Sequence, residues 1–453
     1  MRQRMAAASV GMLLVAAVSA CASGAPVSIE SSRGMEPTIA AETPSPETLI
    51  ASRNAEGALR EPARQAPLTP SPQPTRDPLR IQLWWPDELY PKNDPEAERV
   101  LLDQFDGFRR TYATYNLDVR RKRASGLGGI LPTLRTALPV APRAAPDLTL
   151  MRRSDMIAAA TEGLIVPLEE WLPADILNGL APGARALGEI DGVLYGLPYV
   201  LNIYHVVYRS SVFDAPLLTF DDVLERQPEY LFPAGTGAGT LVGWTVLLQY
   251  LAAGGSLVDV AGNPALNRDA LLTVLDYYEQ AVALDIFDPA LLDYAQFDVY
   301  WDAFEAGEAN MIMVDTATYL KRREDVPNAG LAPIPTHDGS PLTALDGWMW
   351  VLTTQDPDHQ RQARAFLSWM MRINQHSAFT ETLGLLPSQV GALRLWSDAE
   401  YALFAQDLLA AAVIIPAAQR NNSAAVALQT GLVAVLNGTP ARQAADQVLA
   451  SLE

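Results

Sequence analysis

The chain has 453 residues, 49% of them hydrophobic, enough for two globular lobes with separate cores. Its formal charge is −19, and residues 1–79 hold seven arginines against seven acids, so the whole excess falls on the remainder. An acidic body of this kind lacks the basic footprint of a nucleic-acid binder and argues against broad adhesion to anionic lipid.

Met1–Arg4 form a short basic start, and Val10–Val18 an apolar stretch too short to span a bilayer. Small residues then precede Cys21, which is the single cysteine, so intrachain disulfides are impossible. Val18-Ser19-Ala20-Cys21 resembles the lipobox of bacterial lipoproteins, whose cysteine is acylated and becomes the new N-terminus. The alternative is an ordinary secretory signal cleaved nearby. The resemblance implies an anchor at Cys21 in the cell envelope, on the outer face of the cytoplasmic membrane; more than one acyl chain makes such an anchor stable. Residues 22–78 carry ten of the 34 prolines and no apolar period. They are predicted to be a disordered tether, with a reach of about 40–50 Å as a flexible coil.

From Leu79 the pattern changes. Leu79, Ile81 and Leu83 alternate with Arg80, Gln82 and Trp84, which predicts a half-buried strand. Asp94-Pro95 then supplies a helix cap, followed at helical spacing by Ala97, Leu101, Phe105, Phe108 and Tyr112. Leu117–Val119 and Asp147–Met151 read as further strands. This rhythm implies a parallel, doubly wound α/β lobe. Asp191–Phe213 is a tight turn, an apolar run interrupted by Gly196 and Pro198, and a second apolar run. Pro198 cannot donate to a ladder, so the chain is expected to leave one sheet near Pro198–Asn202 and enter another.

The second half repeats the alternation. Thr219-x-x-Asp222 is a capping-box pattern with Asp in place of Glu. Asn267 precedes a helix with Leu271, Val274, Leu275, Tyr278 and Val282 in one stripe. Met311–Val314 is a short buried strand, and Asp356-Pro357 caps a helix running through Met370.

Four histidines, His205, His337, His359 and His376, show no ligand spacing, and Gly235–Gly239 lacks the Lys-Ser/Thr of a phosphate loop. Glu169-Glu170 and Asp221-Asp222 are adjacent acids, which rarely oppose each other across a cleft as a glycosidase pair must. What remains is aromatic. A sugar site needs flat rings for stacking and polar groups for hydroxyls. Trp84-Trp85 ends the first strand, where open α/β sheets place ligands, and Trp85 is the one expected in the cleft. Tyr199, Asn202 and Tyr204 sit at the crossing. Asp315 follows a buried strand and either holds hydroxyls or caps a helix. Trp369 and Trp171 are expected in the core.

Several of these segments resemble one family in order and spacing. Asp191-Gly192-Val-Leu-Tyr-Gly-Leu-Pro198-Tyr199 is similar to the "dGkiYGlPy" signature of the bacterial extracellular solute-binding proteins of family 1, the maltose-binding-protein-like receptors of ABC importers. Asp147–Leu168, Phe304–Met313, Ala332–Pro335 with Gly347-Trp348, and Gly384–Pro387 resemble its later blocks. The resemblance implies a two-lobed periplasmic-binding-protein-like fold, each lobe a sheet flanked by helices, joined by three chain crossings near Asn202, near Ala329 and around Ser377–Leu383. The N-terminal lobe is then 79–202 with 331–378, and the C-terminal lobe 203–330 with 379–453. It further implies a monomeric, cofactor-free and non-enzymatic receptor that holds a sugar or polyol in the cleft and delivers it to ABC permease subunits. A receptor feeding a membrane sensor, or one for a non-sugar solute, is the alternative. By the same resemblance the loop after Met151 faces the cleft, nominating Arg152, Arg153 and Ser154. Trp244 is a second-lobe stacking aromatic, and Trp348 and Trp350 belong to the pocket block. Ala424, Ala425 and Val426 stand where maltose-binding relatives carry an aromatic, which implies a smaller or different sugar.

Overall fold

A computed structural model of the protein describes residues 79–237 and 240–453; Cys21 and the segment read as a tether lie outside the described residues. In chain order the strands are β1 (Arg80–Pro86), β2 (Asn116–Lys122), β3 (Leu148–Arg152), β4 (Glu189–Ile190), β5 (Val193–Leu194), β6 (Gly196–Asn202) and β7 (Tyr204–Arg209). They continue as β8 (Tyr230–Leu231), β9 (Met311–Asp315), β10 (Ala329–Ala332), β11 (Thr343–Ala344), β12 (Asp346–Leu352), β13 (Leu386–Pro387) and β14 (Ala412–Val413). The first lobe is built on the sheet β13-β6-β12-β3-β1-β2, the second on β10-β7-β9-β8.

Local sequence signals act where they stand. Asp94 caps helix Pro95–Thr111 by accepting from the amides of Glu96 and Ala97, and Ala97, Leu101, Phe105 and Phe108 form its buried face. Thr219 and Asp222 make a reciprocal capping box on helix Phe220–Arg226. Asn267 caps helix Arg268–Ala283, and Asp356 caps Pro357–Met370.

Other expectations change under tertiary packing. β1 is not half-buried: Ile81 through Pro86 are all buried, because β1 lies between β2 and β3. The first sheet is mixed rather than wholly parallel, since β12 runs antiparallel to both β3 and β6. β6 ends, at Asn202, where the chain leaves the lobe. β12 begins where it returns, so the two must point in opposite directions. Pro198 sits inside β6 instead of ending it. The ladder absorbs it by a register shift, with Trp348 opposite Val200 and Met349 opposite Pro198, so Tyr199 is skipped.

The three crossings meet at Thr343. Its hydroxyl accepts from Tyr204 N and donates to Tyr204 O, both at 2.8 Å, and β11 pairs in parallel with β14. The first crossing falls at Ile203, as expected. The second lies later than expected, between Ala332 and Asp346, because Ala329–Ala332 still pair with β7. The third also lies later, since Leu386-Pro387 pair with β6 in the first lobe. One aromatic-rich core fills the first lobe, a second fills the C-terminal lobe, and a third runs through the hinge, joining Leu201 and Ile203 to Val314, Tyr319 and Tyr401. Among the described residues no helix is long and apolar enough to cross a membrane.

Two histidines are locked inside this framework. His205 on β7 packs among Tyr319, Tyr401 and Phe404, and His376 donates to the Tyr199 carbonyl at 2.6 Å with the Gln389 side-chain amide 2.9 Å from its other ring nitrogen. Burial lowers each pKa from 6.5 to about 4, against the smaller upward pull of their hydrogen bonds. Between those values the unfolded chain binds protons that the folded chain does not. The stability is therefore fully present above pH 6.5 and is lost as pH falls toward 4, by about 3 kcal/mol per histidine. Urea unfolding at pH 7 and pH 4.5 should show this loss, and His376→Gln should remove part of it; equal midpoints for the wild type would refute it.

Candidate functional site

Between the lobes lies a cavity of 870 Å³, bordered by the loop Asp87–Asp94, Arg152, Asn202, Trp348 and, from the second lobe, Asp315 and Lys321. β1 and β3 point their C-terminal ends at it, the place where open α/β sheets present ligand-binding groups.

The first-lobe wall is a cross-strand pair. Arg152 ends β3 directly opposite Trp348 on β12, so both side chains stand on one face. The Arg152 guanidinium lies 4.7 Å from the centre of the Trp348 ring and pairs with Asp346 at 2.7 Å. Between these residues Gly347 is required by close approach: a Cβ there would stand 2.3 Å from the Val200 carbonyl oxygen.

The hinge supplies a second pair. Asn202, the last residue of β6, donates from Nδ2 to Asp315 Oδ2 at 2.9 Å, while Asp315 Oδ1 accepts from Thr318 N at 2.9 Å. Asp315 therefore both caps helix Thr316–Arg322 and ties the second lobe to the end of the first-lobe strand.

Beyond the hinge, Tyr204 stacks on Trp244 at 4.9 Å and 27°, with Phe297 at 5.1 Å. Trp244 opens helix Trp244–Ala252, and Gln429 fixes the approach to it by accepting from Gly243 N and donating to Ala234 O. Arg420 lies over Trp244, 5.0 Å from the ring centre. Burial first, then Asp346 and Asp315, push the Tyr204 pKa up, against Arg420 and Arg152, so its phenol stays protonated as a donor. Tyr204 on β7 pairs with Asp315 on β9, which sets this stack next to the Asp315–Asn202 pair that lines the cavity.

Arg152, Asn202, Asp315 and Trp348 are brought together around the cavity, and Tyr204 and Trp244 are placed beside them through the pairing of Tyr204 with Asp315. The other nominated residues are not. Trp85, Tyr199 and Trp350 are fully buried in the first-lobe core, with Trp85 and Trp350 ring centres 5.6 Å apart and Tyr199 stacked on His376 at 5.0 Å. The expectation for these three is corrected: helices cover both faces of this part of the sheet, so neither parity of a strand faces water. Trp84, on the other side of β1, is also buried, beneath Lys122 at 4.4 Å. Arg153 is turned inward, donating to the carbonyls of Ala186, Leu187 and Glu189. Ser154 falls in the first turn of helix Arg153–Thr161, off the cavity lining. Trp369 is in the core, bonded to the Gln104 carbonyl at 2.9 Å.

Sequence reasoning missed Asp346, Phe297 and Arg420. Asp346 adjoins the nominated Gly347-Trp348, so its position was a usable signal; Phe297 and Arg420 carry none, because only tertiary packing sets them against Tyr204 and Trp244. Among the described residues no group of His, Cys, Asp and Glu could hold a metal ion.

Residues 111–407 match the family of bacterial extracellular solute-binding proteins. The chain is 25% identical over 213 residues to a maltotriose-binding protein of Pyrococcus abyssi, covering 45% of each protein. It is 24% identical over 220 residues to a maltodextrin-binding protein of Bacillus subtilis, covering 45% of this chain and 52% of that one. The chain thus spans about half the length of the curated relatives it matches. In overall fold it is similar to the cyclic alpha-maltosyl-1,6-maltose binding protein of Arthrobacter globiformis, with a TM-score of 0.64 at 19% identity over 83% of this chain and 99% of that one.

Proposed function

The chain belongs to the bacterial extracellular solute-binding proteins, and we propose that it captures a carbohydrate between its lobes and delivers it to the permease of an ABC importer. The observation that carries this reading is the site at the hinge. It offers an aromatic stack (Tyr204 with Trp244) beside a hydrogen-bonded carboxylate–amide pair (Asp315 with Asn202), with elements from both lobes. Sugars present apolar faces edged by hydroxyls, which is what rings and carboxylates complement. The names of the similar proteins, maltotriose and maltodextrin binders, support an oligosaccharide in particular.

Mechanistically the chain's residues need only bind and move. A ligand that touches Trp348 and Asn202 on one lobe and Trp244 and Asp315 on the other has contacts in the closed arrangement that the open one lacks. It therefore shifts the population toward closure by its differential affinity. No covalent step is involved.

A thermal-shift and calorimetric screen of mono- to trisaccharides tests this. A ligand at about 100 times its Kd adds about 2.7 kcal/mol to stability. A panel that yields neither a shift nor heat would overturn the carbohydrate reading.

We also propose that Cys21 is acylated and anchors the chain to the membrane, a reading that rests on the Val18–Cys21 pattern. Cys21→Ser is expected to move the protein from the membrane fraction to the soluble one without altering its melting temperature. Retention of the variant in membranes, together with no acyl mass on the wild type, would refute the anchor.

A further inference from the structure

We infer that the carbohydrate bound at this site carries a carboxylate: a sugar acid whose acidic group is held by Arg420 while its hydroxyls face Asp315 and Asn202. This inference rests on the proposal that the site takes a carbohydrate, and it narrows the substrate class.

Charge is left open at the site. Arg152 is already neutralised by Asp346 at 2.7 Å. Arg420 is not: it donates through Nε to the Ile415 carbonyl at 3.3 Å, and no carboxylate of the described residues comes within ion-pair distance of it. Yet it is half-buried, with its guanidinium 5.0 Å from the centre of the Trp244 ring that stacks on Tyr204. An arginine placed on an aromatic face is pre-oriented, and its planar fork matches the two oxygens of a carboxylate. On the other side Asp315 carries a negative charge satisfied by an amide N–H from Asn202 and a backbone N–H from Thr318, with no cation paired to it. A carboxylate in that position cannot face another anion, but it can accept from hydroxyls. Lys92 and Lys321, which also border the cavity, are exposed, so the half-buried Arg420 and Asp315 are the cation and the acceptor that a ligand with one carboxylate and several hydroxyls complements.

A neutral sugar leaves the guanidinium with only weak acceptors. A phosphate, with close to two negative charges, is repelled by Asp315 more strongly than a singly charged carboxylate is. A single delocalised charge on a sugar fits better than either.

The test pairs two probes of similar size, digalacturonic acid and the neutral disaccharide maltose, in titration calorimetry with the full-length protein at low and moderate salt. The acidic disaccharide is expected to bind at least about tenfold more tightly than the neutral one, with an advantage that shrinks as salt is added. Arg420→Ala should weaken the acidic ligand by about 10- to 100-fold, the range for a charged hydrogen-bonded pair, and leave the neutral one within a few fold. Arg420→Lys should recover part of that loss, because it keeps the charge but not the fork. Melting curves of both variants report whether they fold. Maltose binding as tightly as the acidic sugar, or an Arg420→Ala variant that folds and loses both equally, would overturn the inference while leaving the carbohydrate reading in place. Absence of binding by either probe and by the neutral saccharide panel would overturn both.

Discussion

Trp85→Ala is expected to lower the unfolding free energy by about 3–5 kcal/mol, the largest single effect foreseen for this chain. The Trp85 ring is fully buried and makes edge contacts to Phe105 and Trp350 at 5.6 Å, Phe379 at 5.8 Å and Tyr199 at 6.5 Å. Truncation empties the centre of that cluster, and neighbours fixed on β6, β12 and two helices can collapse only partly into the hole. Trp85→Phe should cost much less, since it keeps an aromatic ring and removes an indole N–H that has no hydrogen-bond partner among the described residues. The measurement is denaturant unfolding of each variant, set beside ligand titration. A Trp85→Ala variant of unchanged stability that no longer binds ligand would return Trp85 to the cleft and refute the core assignment.

Trp244→Ala is expected to do the opposite. Its ring is half-buried, stacked on Tyr204 and covered by Arg420, so the surface it loses is a binding surface more than a core. A desolvated aromatic anchor costs at least about 2 kcal/mol of binding when truncated, or about 30-fold in Kd. Stability should fall by clearly less than in Trp85→Ala, because the N-terminal turn of the helix is held by Gln429 independently of the indole. If Trp244→Ala binds normally and melts early, the second-lobe half of the site is wrong.

These two tryptophans also show how far the sequence could be read. Residues acting through their nearest neighbours were legible. Asp94, Thr219, Asn267 and Asp356 cap helices where the spacing says they should, because a cap is a bond to an amide two or three residues away. Asp315 is legible as a cap for the same reason, and its second role, the bond to Asn202, is not. The first crossing at Ile203 was likewise marked by the apolar run that breaks and resumes around it.

The amino-acid sequence by itself determined the alternation of helix and strand, the positions of the helix starts, the family blocks and the nomination of Arg152, Asn202, Tyr204, Trp244, Asp315 and Trp348. The elements and helix starts rest on local bonding or on a pattern contained within a few consecutive residues, and the nomination of Arg152, Trp244 and Trp348 rests on resemblance to the family. Only the tertiary structure decided which aromatics face water. Strand parity assigns a side chain to one face or the other. In a sheet covered on both sides, either face can be core, and Trp84 and Trp85 are both buried for that reason. The tertiary structure also placed the second and third crossings, since strand membership is set by pairing with distant partners such as β7 and β6. It alone brought Arg420 onto Trp244 across 176 residues of chain, through packing of separate helices that no local period encodes.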